Sequence, residues 1–292
     1  MASAVFRFAP SPNGELHLGH AYSALLNFDL ARRVGGRFLL RIEDIDPARS
    51  RPEFVTGIFD TLAWLGLEWE EPVRRQSEHF GDYRAAAEKL HAFGLLYPCY
   101  ASRKEIEAST DGRADPDGAP LYPGLWRNAN PSEVARRQPA GEPFALRLDM
   151  AKAMTLLPDP LTFRTFAIDH PLKLQTAWAR PGRWGDAVLV RKETPTSYHL
   201  SVVVDDALQG VTHVVRGQDL EAATDLHRLL QSLLGLPAPA YHHHHLIMDA
   251  TGRKLAKSFG DTSLAQLRRD GVAPEDVRRW VDVAASSQNS NS

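Results

Sequence analysis

The chain is predicted to be an α/β protein: a parallel sheet flanked by helices, interrupted by an inserted, mostly β and irregular subdomain, and finished by a short helical segment. Three observations lead there. Strand-like and helix-like stretches alternate over the first hundred residues, the pattern of βαβ units. The strand-like runs are short and almost continuously apolar, as in a sheet covered on both faces. From about residue 100 to 190 the texture turns to loops rich in Gly, Pro and Asp with short β-type runs, and then the alternation resumes.

Residues 5–8 read as the first strand. A helix follows, because Ala21, Leu25, Phe28 and Ala31 recur at helical spacing, with Leu26 and Leu30 widening the stripe. Gly35 and Gly36 stop it. Residues 37–42 are a second strand, running into a charged loop with Glu43, Asp44 and Asp46. Helices are expected at 52–65, with Pro52 near the first position, and at 77–93, stopped by Gly94. In the insertion, 144–148, 162–168 and 187–190 look strand-like. The α/β pattern resumes with an apolar run at 197–204, read as a strand, and another strand at 211–215. A helix at 220–234, a strand near 241–248, a basic loop and two short helices at 263–269 and 274–284 complete the chain. The expected division is 1–99 and 191–260 for the two halves of the main α/β domain, 100–190 for the insertion, 261–285 for the C-terminal helices and 286–292 for a disordered polar tail.

The bulk numbers bound the function. The 292 residues suffice for one large or two moderate domains. A net charge of −2 excludes a globally basic nucleic-acid binder but not a local basic patch. Cys99 is the only cysteine, so no intrachain disulfide forms, and a reducing cytoplasm is the expected location. No signal peptide and no membrane-length apolar run is visible, so no membrane partner is expected.

The chemistry concentrates in the turn from Phe8 to His20. It joins a strand to a helix start, where unpaired backbone N–H groups and the positive dipole end suit a phosphate. His17 and His20 straddle that start, and Gly14 and Gly19 let a ligand approach the backbone. A loop with two incidental histidines fits this stretch alone equally well. The second anchor is Lys254 and Lys257 with Ser258. Two ammonium groups three residues apart on a loop can neutralise a leaving polyphosphate, although such loops are more often solvated surface.

Together, Pro10-Ser11-Pro12-x-Gly14-x-x-His17-x-Gly19-His20 and Lys254-x-x-Lys257-Ser258 resemble the two signature motifs of class I aminoacyl-tRNA synthetases, the HIGH and KMSKS motifs, over nearly the whole chain to about residue 265. Residue 18 is Leu where Ile is commonest. The resemblance implies a Rossmann-like catalytic domain, with His17, Gly19 and His20 at ATP, Lys257 and Ser258 at its phosphates, Lys254 assisting, and magnesium accompanying the nucleotide. Arg7-x-Ala9-Pro10-Ser11, Leu40 to Asp44, Tyr198 to Leu200 and Val203 to Asp206 look like the glutamyl branch. Glutamate has two carboxylates and one ammonium, so its pocket wants two guanidiniums and one carboxylate. Arg7, Arg216 and Glu43 supply them; Ala9, Ser11 and Tyr198 complete the implied substrate site, with Arg216 assigned to the side-chain carboxylate. Taken singly, Arg7 also fits an edge-strand charge and Glu43 a structural ion-pair partner.

A full glutamyl-tRNA synthetase carries a further anticodon-reading helical domain, whereas this chain stops soon after Ser258. That length resembles the glutamyl-queuosine tRNA(Asp) synthetases. The resemblance implies activation of L-glutamate by ATP without tRNA, then transfer to queuosine in the anticodon of tRNA(Asp); a monomer is the simplest expectation for the oligomeric state. The alternatives are a glutamyl-tRNA synthetase-like protein charging tRNA(Glu), a non-catalytic tRNA-binding paralogue, and a nucleotidyltransferase of similar fold acting on another acid. Arg74, Arg75, Arg180, Arg183, Arg191 and Lys192 are candidates for a basic tRNA surface. The run His242 to His245 sits on a predicted strand, where alternate side chains diverge, and is ranked incidental.

The family often carries a zinc site in its insertion. Here the matching positions are Cys99, Ala101, Tyr122 and Trp126. One thiol and one phenol fall short of the roughly four N or S ligands that structural zinc takes. Purified protein is therefore expected to contain no stoichiometric zinc by atomic absorption; one zinc per chain would overturn that expectation.

Overall fold

Strand β1 (Val5–Phe8) lies parallel to β2 (Arg37–Ile42), which lies parallel to β3 (Glu70–Arg75), in the computed structural model, which describes residues 3–137, 140–157, 160–246 and 262–289. Helices α1 (Leu18–Arg33) and α2 (Pro52–Trp64) make the two crossovers. The turn out of α1 is tight: Gly36 N–H reaches the Ala31 carbonyl, and a Cβ on Gly36 would stand 2.5 Å from the Ala4 carbonyl oxygen. Alternation along the strands builds two cores. Phe6, Phe8, Leu40 and Ile42 pack with α1, while Val5 and Leu39 pack with Val214 and Tyr241 on the other face.

A second sheet has the order β7-β6-β10-β9, from β6 (Thr162–Ala167), β7 (His170–Trp178), β9 (His213–Gly217) and β10 (Ala240–His244). Its pairs are parallel except β6 with β7. The two sheets meet where Val5 N–H donates to Thr212 Oγ1 at 2.8 Å and Thr212 N–H donates to the Val5 carbonyl at 3.0 Å. β1 therefore sits beside β9, and chain order reverses between them, which is where open α/β sheets form ligand crevices. Helices α3 (Phe80–Ala92), α7 (Tyr198–Leu208) and α8 (Ala223–Leu234) share a further core with a small antiparallel sheet, β4 (Leu96–Cys99), β5 (Ala145–Leu148) and β8 (Val188–Val190).

The insertion also carries α4 (Arg103–Ser109), α5 (Pro131–Arg137) and α6 (Met150–Thr155). At the C-terminal side, α9 (Leu264–Arg269) follows the Leu16 loop, and α10 (Pro274–Asn289) buries Val277 and Val281 in the core with α1. No described helix is long and apolar enough to cross a membrane.

Four expectations are corrected. The run at 197–204 is helix α7, not a strand; it is buried from Leu200 to Asp206, so the sequence carries no exposed face from which to read a period. The helix expected from 77 begins at Phe80, because polar Glu70–Arg75 is a strand, followed by a short 3-10 turn at Gln76–Glu78. The 100–190 block is not a separate unit: β4, before it, joins its small sheet, and β6 and β7, inside it, extend the larger one. The backbone of α10 continues to Asn289, past the point where a disordered tail was expected.

One buried cluster ties β2 to α7. Arg41, with no solvent exposure, donates from Nη1 to Asp206 Oδ1 at 2.8 Å and from Nη2 to Glu43 Oε1 at 3.1 Å. Arg7 donates to both Asp206 oxygens, at 3.1 and 3.3 Å. Asp205 accepts from Arg74, Gln76 and Tyr83. Burial alone would raise the Asp206 carboxyl, but the Arg7 and Arg41 guanidiniums hold it below the usual range. Arg41→Met strips three buried carboxylates of a shared partner. It is expected to cost about 3–5 kcal/mol, read as a lowered midpoint in urea unfolding.

Candidate active site

The C-terminal ends of β1 and β9, the loops that follow them and the start of α1 enclose a cleft of about 620 Å³, within the size range of small-molecule sites. The sequence-predicted residues in the described segments all line it: Arg7, Ala9, Ser11, His17, Gly19, His20, Glu43, Tyr198 and Arg216. Lys254, Lys257 and Ser258 lie outside the described residues.

The two histidines build the helix start. His17 is the N-cap of α1; its Nδ1 accepts from Gly19 N–H at 3.1 Å, and its own N–H donates to His20 Nδ1 at 3.1 Å. Two orphan donors are thereby satisfied reciprocally, the logic of a capping box with imidazoles in place of hydroxyl and carboxylate. The rings lie 3.8 Å apart, tilted by 31°. Burial first, and His17 second, lower His20 to about 3, so its ring is neutral. With Nδ1 accepting, the neutral ring carries its proton on Nε2, a donor and not an acceptor. A Cβ on Gly19 would stand 3.0 Å from His17 Cε1, so the capping ring would have to give by a few tenths of an ångström.

The two arginines of the cleft differ. Arg7 is neutralised by Asp206. Arg216 is equally buried, yet no carboxylate lies within ion-pair distance of it among the described residues. Its donors meet neutral groups: Tyr198 Oη at 3.2 Å, His227 Nδ1 at 3.3 Å, Thr224 Oγ1 at 2.8 Å and His243 Nε2 at 3.4 Å. Glu43 is buried against Arg41; burial pushes its carboxyl up against the pull of Arg41 and Arg7. Burial also raises the Tyr198 phenol, which stays protonated. The cleft thus offers imidazole N–H donors at a helix start, one neutralised and one uncompensated guanidinium, and a carboxylate.

Sequence reasoning missed several contributors. Sequence reasoning assigns no individual role to Arg41 or Asp206, which enter it only inside the stretches Leu40 to Asp44 and Val203 to Asp206. The histidine run is not wholly incidental: His244 lines the cleft and His243 touches Arg216, because β10 lies beside β9 with His243 opposite Arg216. The strand position itself was the available signal. Of the expected basic surface, Arg74, Arg75 and Arg183 are engaged by Asp205 and Asp82, Asp44, and Asp225.

In the insertion, Cys99, Ala101 and Tyr122 are buried together with Trp126 packed against them. The thiol donates to Tyr122 Oη at 3.3 Å, the same oxygen accepts from Trp126 N–H at 2.9 Å, and the Arg147 guanidinium sits 3.9 Å over the Tyr122 ring. This donor set does not fit a tetrahedral zinc, and the knuckle is packed by apolar and cation–π contacts instead.

Residues 3–290 match the family model for the catalytic domain of class I tRNA synthetases of the E and Q type. The glutamyl-Q tRNA(Asp) synthetase of Rhodobacter capsulatus is 47% identical over 285 residues, covering 96% of this chain and 100% of the relative. The enzyme of the same name from Symbiobacterium thermophilum is 43% identical, over 93% of this chain and 83% of its own length. Among solved structures, the glutamate-tRNA synthetase of Elizabethkingia anophelis superposes with a TM-score of 0.72 at 28% identity, covering 89% of this chain. This chain spans about half of that structure, 54%. The geometry at the join of the two sheets and these likenesses converge: this chain belongs to the class I tRNA synthetases of the glutamyl and glutaminyl type, a family of ligase-type enzymes, with glutamyl-Q tRNA(Asp) synthetases among its relatives.

Proposed function

We propose that the cleft activates L-glutamate with ATP, without tRNA, and then transfers the glutamyl group to queuosine in the anticodon of tRNA(Asp). The observation that carries this reading is the charge set around one cleft: Arg7 and Arg216, both buried, with the Glu43 carboxylate. It matches the two carboxylates and one ammonium of glutamate. The name shared by the two relatives above supports the acceptor.

In the first step an α-carboxylate oxygen of glutamate attacks the α-phosphorus of ATP. A C–O–P bond forms, the bond to the bridging oxygen breaks, and pyrophosphate leaves. No protein nucleophile is needed, so the residues position substrates and stabilise charge. His17 and His20 donate from Nε2 toward the phosphates, Glu43 receives the ammonium, and Arg216 takes the side-chain carboxylate. Lys254, Lys257 and Ser258 belong to the same reading as phosphate contacts, on sequence grounds alone. Magnesium accompanies ATP as part of the substrate. The carboxylates lining the cleft, Glu43 and Asp219, lie on separate loops and one is engaged by Arg41, so no protein cage is assigned to it.

Glutamate-dependent exchange of labelled pyrophosphate into ATP is expected without any tRNA, and its absence would sink the activation step. Labelled glutamate is expected on tRNA(Asp) containing queuosine, and not on tRNA(Asp) lacking it or on tRNA(Glu). Labelling of tRNA(Glu) instead would favour conventional charging.

A pH dependence follows from Glu43. Its carboxyl lies above the ordinary glutamate value of about 4.3, and only the ionised form receives the ammonium. Glutamate affinity is therefore full above the raised value and lost as pH falls through it, earlier than an unperturbed carboxylate would dictate. The Michaelis constant for glutamate measured from pH 5 to 8 is expected to climb on the acid side, and Glu43→Gln to raise it throughout and flatten the profile.

A further inference from the structure

Arg216 is surrounded in a way that determines three histidine tautomers. An arginine only donates, so each nitrogen it meets must accept. His227 Nδ1 accepts from Arg216 Nη1, which leaves the His227 proton on Nε2, 3.2 Å from His199 Nδ1. That proton goes to His199. Thr224 Oγ1 accepts from Arg216 Nη2 and has one proton to give; it goes to His243 Nε2 at 3.0 Å, which also accepts from Arg216 Nε. Any of these rings that gained a proton at its accepting nitrogen would point an N–H at a donor. Burial and the nearby guanidinium keep them neutral: His227 is lowered well below its usual range, His243 to about 3 and His199 to about 4.

The contrast with the rest of the network is chemical. Arg7 and Arg41 have carboxylate partners, and α8 has an acid of its own, Asp225, next to Thr224. Asp225 is turned to Arg183, 2.7 Å away. An acidic group is thus present on the neighbouring element and is spent elsewhere, while the described side chains that hydrogen-bond Arg216 are all acceptors without charge.

We infer that His227, backed by His199, and Thr224, joined to His243, are positioning and specificity residues: they hold the Arg216 guanidinium by neutral acceptors alone, so that its charge is answered only by an anionic amino-acid side chain. This rests on the reading that Arg216 meets the side-chain carboxylate of glutamate. An internal carboxylate would hold the guanidinium more firmly and at the same time cancel the charge. Glutamate would then lose its advantage over the neutral isostere glutamine.

The test separates an acceptor from a charge at two positions. His227→Glu and Thr224→Asp place a carboxylate against Arg216; His227→Asn and Thr224→Ser keep an uncharged acceptor. Pyrophosphate exchange is measured with glutamate, with glutamine and with varied ATP, and thermal unfolding checks each variant. The acidic variants are expected to raise the Michaelis constant for glutamate about tenfold or more, with that for ATP unchanged and the preference over glutamine falling by a similar factor. The neutral variants are expected to stay within about threefold of the parent. Where one acidic variant does not fold, the other position decides. Acidic variants with the parent's glutamate constant and preference would overturn the inference, and so would equal losses in the acidic and neutral variants. A parent protein with no glutamate-dependent exchange would instead remove the underlying reading and the inference with it.

Discussion

A fully buried guanidinium holds this fold together at its functional end. Arg41 points from β2 into the interior with no solvent exposure, and such a charge persists only if it is paired and hydrogen-bonded. Its partners come from its own strand end, Glu43, and from α7, Asp205 and Asp206. The same Asp206 secures Arg7 on β1. Asp205 reaches Arg74 on β3 and Tyr83 on α3. One helix end therefore aligns three adjacent strands and a second helix by charge, in register. The cleft opens where that alignment ends, so the strand termini that form its walls are held by ionic contacts behind them.

This arrangement also explains why two arginines facing one cleft differ. The network behind Arg7 sets Arg7, Arg41 and Arg74 against Glu43, Asp205, Asp206 and the more exposed Asp82. Arg216 stands on β9, across the join, where α8 and β10 bring a threonine and imidazoles in place of acids. A buried cation without an internal anion is costly by itself. At the start of α1, capping consumes the Nδ1 atoms of the two histidines and so dictates which nitrogen carries the proton at the cleft.

Much of this was legible in the residues. Strands and helices of the first half follow from apolar spacing and from punctuation at Gly35, Pro52 and Gly94. The cleft residues follow from motif chemistry at strand ends. What escaped had physical causes. The segment from Leu200 to Asp206 is buried residue after residue, acids included, and a segment without a wet face has no readable period. Strand β3 is polar because it lies at a sheet edge, which is the opposite failure. Arg41 and Asp206 look ordinary singly, since nothing local says that residues 165 positions apart share a hydrogen bond. The histidine run was judged by its alternation alone, whereas its neighbour strand decides which member matters.

The seating of β1 beside β9 also bears on how the chain comes to be made. Arg7 and Asp206 are 199 positions apart, and Val5 waits for Thr212 across 207. A ribosome delivers β1, β2 and their arginines long before it delivers α7, and contacts of such span are slow to close. Until α7 arrives, Arg7 lacks Asp206, Arg41 has only Glu43 of its later partners, and the β1 edge that will meet β9 is open. The cleft can be complete only once α7 and β9 have been made and seated against β1 and β2.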